Sequence, residues 1–262
     1  MLRIISSFDG GNIEVVKADD PCDIQLNIRQ DTNAEFLQWF YFKVIGVKNT
    51  PCTIKILNAG EASFTRGWEN YKAVASVDQQ YWTRVPTEYE NGILEIQSTP
   101  SSDAVCYAYF VPYPSDRHSE LIARCQASEG VGLSVPGLTK QNRPIEVLTF
   151  GSMADNKPAL WIIARQHPGE TMAEWFMEGL LDRLLNQQDG AVRSLLQRAT
   201  LYTVPNMNPD GSMLGNLRVN SLGVNLNREW ENPSIDNSPE VFHVRKMMIE
   251  SKIRFCLDVH GD

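Results

Sequence analysis

The chain has 262 residues, with 24 basic and 32 acidic side chains, so its formal net charge is −8. At roughly 150 residues per domain, this length predicts about two domains. The composition excludes disordered, collagen-like and coiled-coil proteins, and the apolar runs are far shorter than the ~20 residues of a membrane span. Because a net acidic chain without a block of Lys or Arg has no clustered positive patch, we expect neither nucleic acid nor a membrane surface as its main partner.

The N-terminus and the cysteines indicate a cytoplasmic protein. Charged residues interrupt the first alternating stretch, residues 1–9, before the apolar core of a signal peptide can form. The five cysteines are odd in number and widely spaced, and they include no C-x-x-C pair. This pattern predicts neither a disulfide framework nor a thiolate zinc cluster, so we expect a reducing, cytoplasmic location.

Residues 1–125 predict an N-terminal antiparallel β-sandwich domain. Short β-branched and aromatic runs alternate with turn residues, and no helical period is visible between them. After a first strand within residues 1–9, the predicted strands are 13–16, 38–47, 53–57, 71–75, 81–85, 93–96 and 105–111. Strands at this spacing are typical of a sandwich.

Residues 126–262 predict a mixed, mostly parallel α/β domain, entered through a Gly-, Ser- and Pro-rich linker at 130–142. Strands alternate with helices here, which favours a sheet covered by helices. Thr171 and Glu174 are expected to form a capping box at the start of the first helix. The predicted strands are 145–150, 159–164, 201–205 and 253–259, and the predicted helices are 171–186, 191–198 and one beginning at Ser238.

Three of these strands run into polar clusters. His167 and Glu170 follow the strand 159–164, Asn208 and Asp210 follow the strand 201–205, and His260 follows the last strand. Because ligands bind at the carboxyl ends of strands in open α/β sheets, we expect these clusters to converge. Asp210 and the next residue, Gly211, are predicted to form a turn, since Pro-Asp-Gly is turn chemistry.

Two imidazoles and one carboxylate, from His167, Glu170 and His260, are the ligand set of a catalytic zinc site with three protein ligands. A non-haem iron oxygenase uses similar ligands, but the α/β alternation disfavours it. The other two histidines do not belong to a polar cluster at the end of a predicted strand. We predict that His118, in a loop, and His243, on a helix, are surface residues.

The order of the motifs resembles a known family. The chain contains His167-Pro168-Gly169-Glu170, Asn208-Pro209-Asp210-Gly211, Arg218, Asn227-Arg228 and Asp258-Val259-His260-Gly261. This order is similar to that of the zinc metallocarboxypeptidases of the carboxypeptidase A type. It resembles most closely the cytosolic carboxypeptidase branch, whose members carry an extra N-terminal β-sandwich. The aromatic run Trp39-Phe40-Tyr41-Phe42 also resembles that N-terminal domain.

The resemblance implies a zinc-dependent carboxypeptidase that hydrolyses C-terminal residues from peptides or proteins through a metal-activated water. It assigns one zinc ion to His167, Glu170 and His260, and oxyanion stabilisation to Arg218. Asn227 and Arg228 would hold the terminal carboxylate of the substrate, a role that suits the planar fork of an arginine.

Two departures from the family pattern stand out. Many members have a carboxylate two residues before the Asn-Arg pair, where it orients a ligating histidine, but this chain has Asn225. The general base of the family, a glutamate on a late strand, lies downstream of the third ligand. We therefore expect it beyond Asp262, and we expect the chain to be the N-terminal portion of a longer protein.

Two alternative functions stay open at this point. One is a deacylase of the same superfamily, related to succinylglutamate desuccinylase or aspartoacylase. The other is a non-catalytic protein that binds zinc and a peptide C-terminus, if 262 residues is the natural length. The sequence indicates neither the preferred C-terminal residue nor the oligomeric state.

Overall fold

The computed structural model describes residues 1–152 and 157–261, and its chain divides into two compact units. The first unit consists of Met1–Pro112 together with Met213–Leu217, and the second of Tyr113–Ser212 with the chain from Arg218 onward. Asp262, the last residue of the polar cluster at His260, lies outside the described residues.

Two five-stranded sheets make up the first unit. Their orders are β1-β4-β10-β6-β7 and β2-β3-β5-β9-β8. All pairings are antiparallel except that of β3 with β5. The strands are β1 (Arg3–Ile5), β2 (Glu14–Lys17), β3 (Ile24–Asn27), β4 (Tyr41–Ile45), β5 (Cys52–Ile56), β6 (Val74–Ser76), β7 (Thr83–Arg84), β8 (Thr87–Glu90), β9 (Ile93–Ser98) and β10 (Ala104–Ala108). Short 3-10 turns lie at Pro21–Asp23, Ala59–Glu61 and Thr65–Trp68.

Alternation along the strands explains why the two sheets form a sandwich. Every second residue of β3 and β5 is buried, as at Ile24 and Ile54, because successive side chains of a strand point to opposite faces. Phe42 and Tyr107 of the other sheet belong to the same buried cluster, with stacked rings 5.6 Å apart. The predicted β-sandwich is confirmed. Residues 24–27 and 87–90 are strands that the sequence analysis did not identify.

The segment Met213–Leu217 packs with the first unit although it comes from the second half of the chain. Asn12 donates a hydrogen bond from Nδ2 to the Gly215 carbonyl at 2.9 Å, and the Leu217 amide donates to Asp31 Oδ1 at 2.5 Å. Gly215 has φ +73, and a Cβ there would lie 2.8 Å from the carbonyl oxygens of residues 10 and 11. A glycine is therefore required at this close approach.

The second unit contains one five-stranded sheet of order β11-β12-β14-β13-β15. Two of its pairings are parallel, β13 with β14 and with β15, and two are antiparallel. The predicted mixed α/β sheet is confirmed, with parallel and antiparallel pairs in equal number. Its strands are β11 (Val131–Ser134), β12 (Val147–Phe150), β13 (Ala159–Ala164), β14 (Thr200–Val204) and β15 (Ile253–Val259).

Helices cover both faces of this sheet. Helices α1, α2 and α3 share a buried cluster with Leu148 and Phe150, whereas α5 packs against Trp161 and Tyr202 on the other face. The helices are α1 (Ser115–Gln126), α2 (Thr171–Leu185), α3 (Gly190–Arg198), α4 (Pro209–Leu214) and α5 (Pro239–Glu250), and a 3-10 turn lies at Leu226–Arg228. In residues 1–152 and 157–261, no helix is long and apolar enough to span a bilayer.

Four local predictions are wrong. Residues 115–126 form α1 rather than continuing the all-β pattern, because Leu121, Ile122 and Cys125 make a narrow apolar stripe within a mainly polar sequence. The predicted linker 130–142 contains β11, an edge strand paired with β12. Asp210 and Gly211 lie in α4 rather than in a turn. The capping box is absent, because Glu170 is the residue before the first turn of α2.

Candidate metal centre

The three predicted zinc ligands lie at the carboxyl ends of two neighbouring parallel strands. His167 and Glu170 are in the connection from β13 to α2, and His260 follows β15 directly. The strands β13 and β15 pair in parallel, with Ala164 opposite Val259. Both connections therefore leave the sheet at the same edge, as expected for ligand-binding positions of an α/β sheet.

The carboxylate of Glu170 lies between the two imidazoles. Its Oε1 is 2.7 Å from His167 Nδ1, and its Oε2 is 2.8 Å from His260 Nδ1. The Gly261 amide also donates to Oε2, at 3.1 Å. One ligand atom from each of the three side chains lies within 4.8 Å of the others, and the imidazole and carboxylate donors are ones that zinc prefers.

The outer nitrogen of each imidazole has its own partner. His167 Nε2 is 3.1 Å from Asn225 Oδ1, and His260 Nε2 is 2.9 Å from Asp258 Oδ2. A hydrogen bond at Nε2 holds the ring so that Nδ1 is available as the ligand atom. The two histidines thus have unlike supports, a neutral amide for His167 and a carboxylate for His260. Both Nδ1 atoms face the Glu170 carboxylate, and this arrangement of donors fits a zinc ion.

Electrostatics keeps the carboxylate ionised. Burial alone would raise the pKa of Glu170, but hydrogen bonds from His167 and His260 lower it to about 2. The contacts with Asp258 and Glu170 raise the pKa of His260 to about 10. A negative charge is therefore held between the imidazoles, and a metal ion that takes this place must displace the proton from His260.

Gln166 orients the carboxylate that supports His260, and the sequence analysis missed it. Its side chain is fully buried, and its Nε2 donates to Asp258 Oδ2 at 2.6 Å. Trp230 in turn donates from Nε1 to Gln166 Oε1 at 2.8 Å. The only signal in the sequence is the position of Gln166 next to His167, because the contact to Asp258 spans 92 residues.

The predicted substrate residues lie in the connection after α4. Asn227 Nδ2 is 3.4 Å from His260 Nε2, so this amide lies beside the triad. Arg228 is exposed, and its guanidinium donates to the Asn227 carbonyl at 3.2 Å. Arg218 is half-buried and directly follows the segment Met213–Leu217. The roles assigned to these three residues stay predictions.

The prediction that His118 is a surface residue is wrong. Its side chain lies on α1 with 14% exposure, between Glu146 Oε2 at 2.8 Å and Glu174 Oε1 at 2.5 Å. Both carboxylates are distant in sequence, and α1 itself was not predicted. His243 is half-buried on α5.

Each half of the sequence matches one protein-family description. Residues 4–110 match the cytosolic carboxypeptidase N-terminal domain, and residues 126–262 match zinc carboxypeptidase. The chain belongs to the zinc carboxypeptidase family. The predicted membership is confirmed, and zinc is the cofactor that both this family and the His-Glu-His group indicate.

Three similar proteins illustrate how this zinc carboxypeptidase compares with its relatives. An uncharacterised protein of Zymomonas mobilis is 46% identical over 261 residues, covering 100% of the chain and 68% of that protein. Cytosolic carboxypeptidase 1 of Xenopus laevis is 27% identical, over 95% of the chain but 24% of its own length. A metallo-carboxypeptidase structure from Pseudomonas aeruginosa, in complex with (2-guanidinoethylmercapto)succinic acid, has a TM-score of 0.96 and 46% identity. The match covers 99% of the chain and 70% of that protein.

Proposed function

We propose that this chain carries the zinc site of a metallocarboxypeptidase that removes C-terminal residues from peptides or proteins. The observation that carries the proposal is the triad of His167, Glu170 and His260, with each outer imidazole nitrogen held by its own partner. The match of residues 126–262 to zinc carboxypeptidase supports the same activity. The match of residues 4–110 supports the carboxypeptidase branch over the deacylases of the superfamily.

The residues around the triad have separable roles in this proposal. Zinc, when bound, polarises the scissile carbonyl and lowers the pKa of a bound water. Asn227 and Arg228 hold the terminal carboxylate, since an amide and a guanidinium together select a free C-terminus over an internal peptide bond. Arg218 offsets the negative charge that develops on the carbonyl oxygen. The position of Asn227 beside His260 supports its assignment.

The remaining assignments extend the proposal to the whole protein. We assign residues 1–112 to a β-sandwich domain and the chain from residue 113 onward to the carboxypeptidase domain, because α1 belongs to the second unit and moves the boundary from the predicted residue 125. Similarity to proteins named cytosolic carboxypeptidases supports a cytoplasmic location. The Pseudomonas aeruginosa relative binds a succinic acid derivative, which supports a substrate with a carboxylate.

Release of C-terminal residues tests the proposal directly. The natural polypeptide that contains this chain, loaded with zinc, is incubated with a panel of peptides that differ in their last residue, and the products are identified by mass spectrometry. We expect release from peptides with a free C-terminus and none from the same peptides amidated. Glu170→Gln should abolish release and zinc binding, while Glu178→Gln, on the helix that follows Glu170, should keep both. Hydrolysis of N-acyl amino acids instead would establish the deacylase, and zinc binding without turnover would establish a binding protein.

The carboxylate-binding role of Arg228 predicts a specific kinetic change. Arg228→Ala should lower kcat/KM by roughly 100-fold, chiefly by raising KM, because a charge-assisted pair to the substrate is lost. Steady-state kinetics on the best peptide of the panel measure this change. Arg124→Ala, which removes an exposed arginine of α1, is the matched control. An unchanged KM in Arg228→Ala would contradict the assignment.

A further inference from the structure

Arg165 occupies a strained position between β13 and the zinc-binding turn 167–170. It has φ 55, in the left-handed region that residues other than glycine rarely adopt, and its side chain is 5% exposed. Its Nε donates to the Pro168 carbonyl at 3.0 Å, inside the turn, and its Nη1 donates to the Tyr113 carbonyl at 2.9 Å. The guanidinium therefore connects the turn to the start of the second unit.

Glu174 is the acidic partner of this guanidinium. It lies on α2, one turn beyond Glu170, and its side chain is completely buried. Its Oε2 accepts from Arg165 Nη1 at 2.6 Å and from Asn206 Nδ2 at 3.2 Å. Because a buried carboxylate without partners is costly, these contacts hold α2 and the turn in one arrangement.

His118 completes the arrangement from α1. Its Nδ1 contacts Glu174 Oε1 at 2.5 Å, and its Nε2 contacts Glu146 Oε2 at 2.8 Å. Burial alone would lower the pKa of His118, but the two carboxylates raise it to about 9. The ionised forms of Glu146, His118, Glu174 and Arg165 alternate in sign along these contacts and sum to zero. We call these four residues the buried charge chain.

We propose that the buried charge chain positions the zinc-binding turn, with Arg165 acting through the Pro168 carbonyl and His118 and Glu174 holding Arg165 in place. The inference rests on the proposed function, since it concerns the same zinc site. None of the three is a catalytic residue. Loss of His118 leaves two carboxylates facing each other in a buried site, and Glu174 then no longer holds Arg165 and the turn in one geometry.

A second ion pair between the same helices provides a matched control. Arg117, next to His118 on α1, contacts Glu178 of α2 through two hydrogen bonds of 2.6 and 2.7 Å. This pair also ties α1 to α2, but the arginine is 42% exposed, and in the described part of the chain neither residue forms an ion pair or a side-chain hydrogen bond with the turn 167–170. Arg117→Gln therefore breaks an interhelical ion pair and leaves all four residues of the buried charge chain unsubstituted.

The test compares zinc affinity in His118→Gln and Arg117→Gln. Zinc dissociation constants are measured by competition with a chelator, and unfolding temperatures are measured on the same samples. Because residues that orient metal ligands typically contribute 10- to 100-fold to affinity, we expect His118→Gln to bind zinc about 10-fold more weakly. Arg117→Gln should stay within about twofold of the unsubstituted chain, even where the two variants lose similar thermal stability.

A rescue experiment separates positioning from a general loss of packing. In His118→Gln the buried charge chain carries one excess negative charge, and adding Glu146→Gln restores its neutrality. The double variant should therefore recover zinc affinity relative to His118→Gln, whereas a packing defect would only accumulate. If His118→Gln does not fold, Glu146→Gln alone should weaken zinc binding by roughly threefold, since it removes one negative charge from the buried charge chain at the end opposite Arg165.

The outcomes distinguish this inference from the proposed function. If the unsubstituted chain binds zinc, and His118→Gln or Glu146→Gln matches Arg117→Gln in affinity, the positioning role is wrong and the proposed function stands. Failure of the double variant to recover affinity also overturns the positioning role. If the unsubstituted chain binds no zinc, the proposed function itself is wrong.

Discussion

The two compact units bury different kinds of side chain. In the described part of the first unit, the buried cluster is apolar and aromatic, and its buried polar groups are mostly amides and hydroxyls with one carboxylate, Asp31. The second unit buries ionisable groups of both signs. They are Arg165, His167, Glu174, Asp210 and Glu240. Because burial of charge is costly, a unit that concentrates such groups is more informative about function than one with an apolar core.

Buried charges in the second unit still differ from one another. Asp210 accepts hydrogen bonds from Thr139, Arg143 and Ser221, so its carboxylate is fully paired and fixes the connection around α4. Glu240 has one buried oxygen without a hydrogen-bond partner, and burial raises its pKa to about 7. The buried charge chain differs from both, because Arg165 donates a hydrogen bond to the backbone of the turn 167–170, which carries two of the three proposed zinc ligands.

The largest predicted effect compares one aromatic core residue in each unit. Phe42→Ala and Trp161→Ala should each cost about 3–5 kcal/mol of unfolding free energy, because both side chains are fully buried. Trp161 stacks on Tyr202 at 4.7 Å and lies on the strand that leads to His167, so only its loss should also weaken zinc binding. Hydrogen exchange resolved by region, together with zinc titration, measures both quantities. Equal loss of zinc affinity in the two variants would show that the units do not differ in this way.

The second prediction concerns pH, and all four histidines lie in the second unit. The folded pKa of His118 is raised above the unfolded value of 6.5, to about 9, by Glu146 and Glu174 against the effect of burial. Its stabilisation is therefore complete below pH 6.5 and is lost as pH rises through about 9. The groups facing His118 are those two carboxylates, and Arg165 lies behind Glu174.

The stabilisation by His118 should appear as the difference in unfolding free energy between the zinc-loaded protein and its His118→Gln variant. The difference should shrink by roughly 1–3 kcal/mol between pH 6.5 and pH 9.5, since one unit of pKa corresponds to about 1.4 kcal/mol. Other titrating groups are common to both proteins and cancel. A difference that grows with pH would contradict the charge assignment.

The smallest predicted effect compares a buried or half-buried aspartate in each unit. Asp258→Asn should weaken zinc binding by about 10-fold, because the amide supports His260 less strongly than a carboxylate. Asp31→Asn removes a carboxylate from the first unit, where Asp31 accepts from the Leu217 amide, and should leave zinc affinity within about twofold. Chelator competition measures both. A similar loss in Asp31→Asn would show that the contrast between the units is wrong.

Much of the architecture could be predicted because it depends on local patterns. The strand Ala159–Ala164 agrees with prediction to the residue, since a continuous apolar run of this length is typical of a buried parallel strand. The predicted bounds of Ile253–Val259 also agree, although Arg254 and Asp258 interrupt its apolar residues. Helix α2 agrees within one residue, because its apolar residues recur at helical spacing. Helix α1 was missed because its apolar stripe is short, and β11 was missed because its Gly and Ser residues are typical of linkers.

The amino-acid sequence by itself determined the triad of this protein. His167, Glu170 and His260 each follow a strand, and parallel strands end at one edge of a sheet, so the order of motifs was sufficient to bring them together. Only the tertiary structure decided what supports them. The contacts of Gln166 with Asp258 and of His118 with Glu174 and Glu146 join residues 28 to 92 positions apart. Local periodicity carries no information about such pairings, which form only when packing brings separate elements together and burial makes an unpaired charge costly.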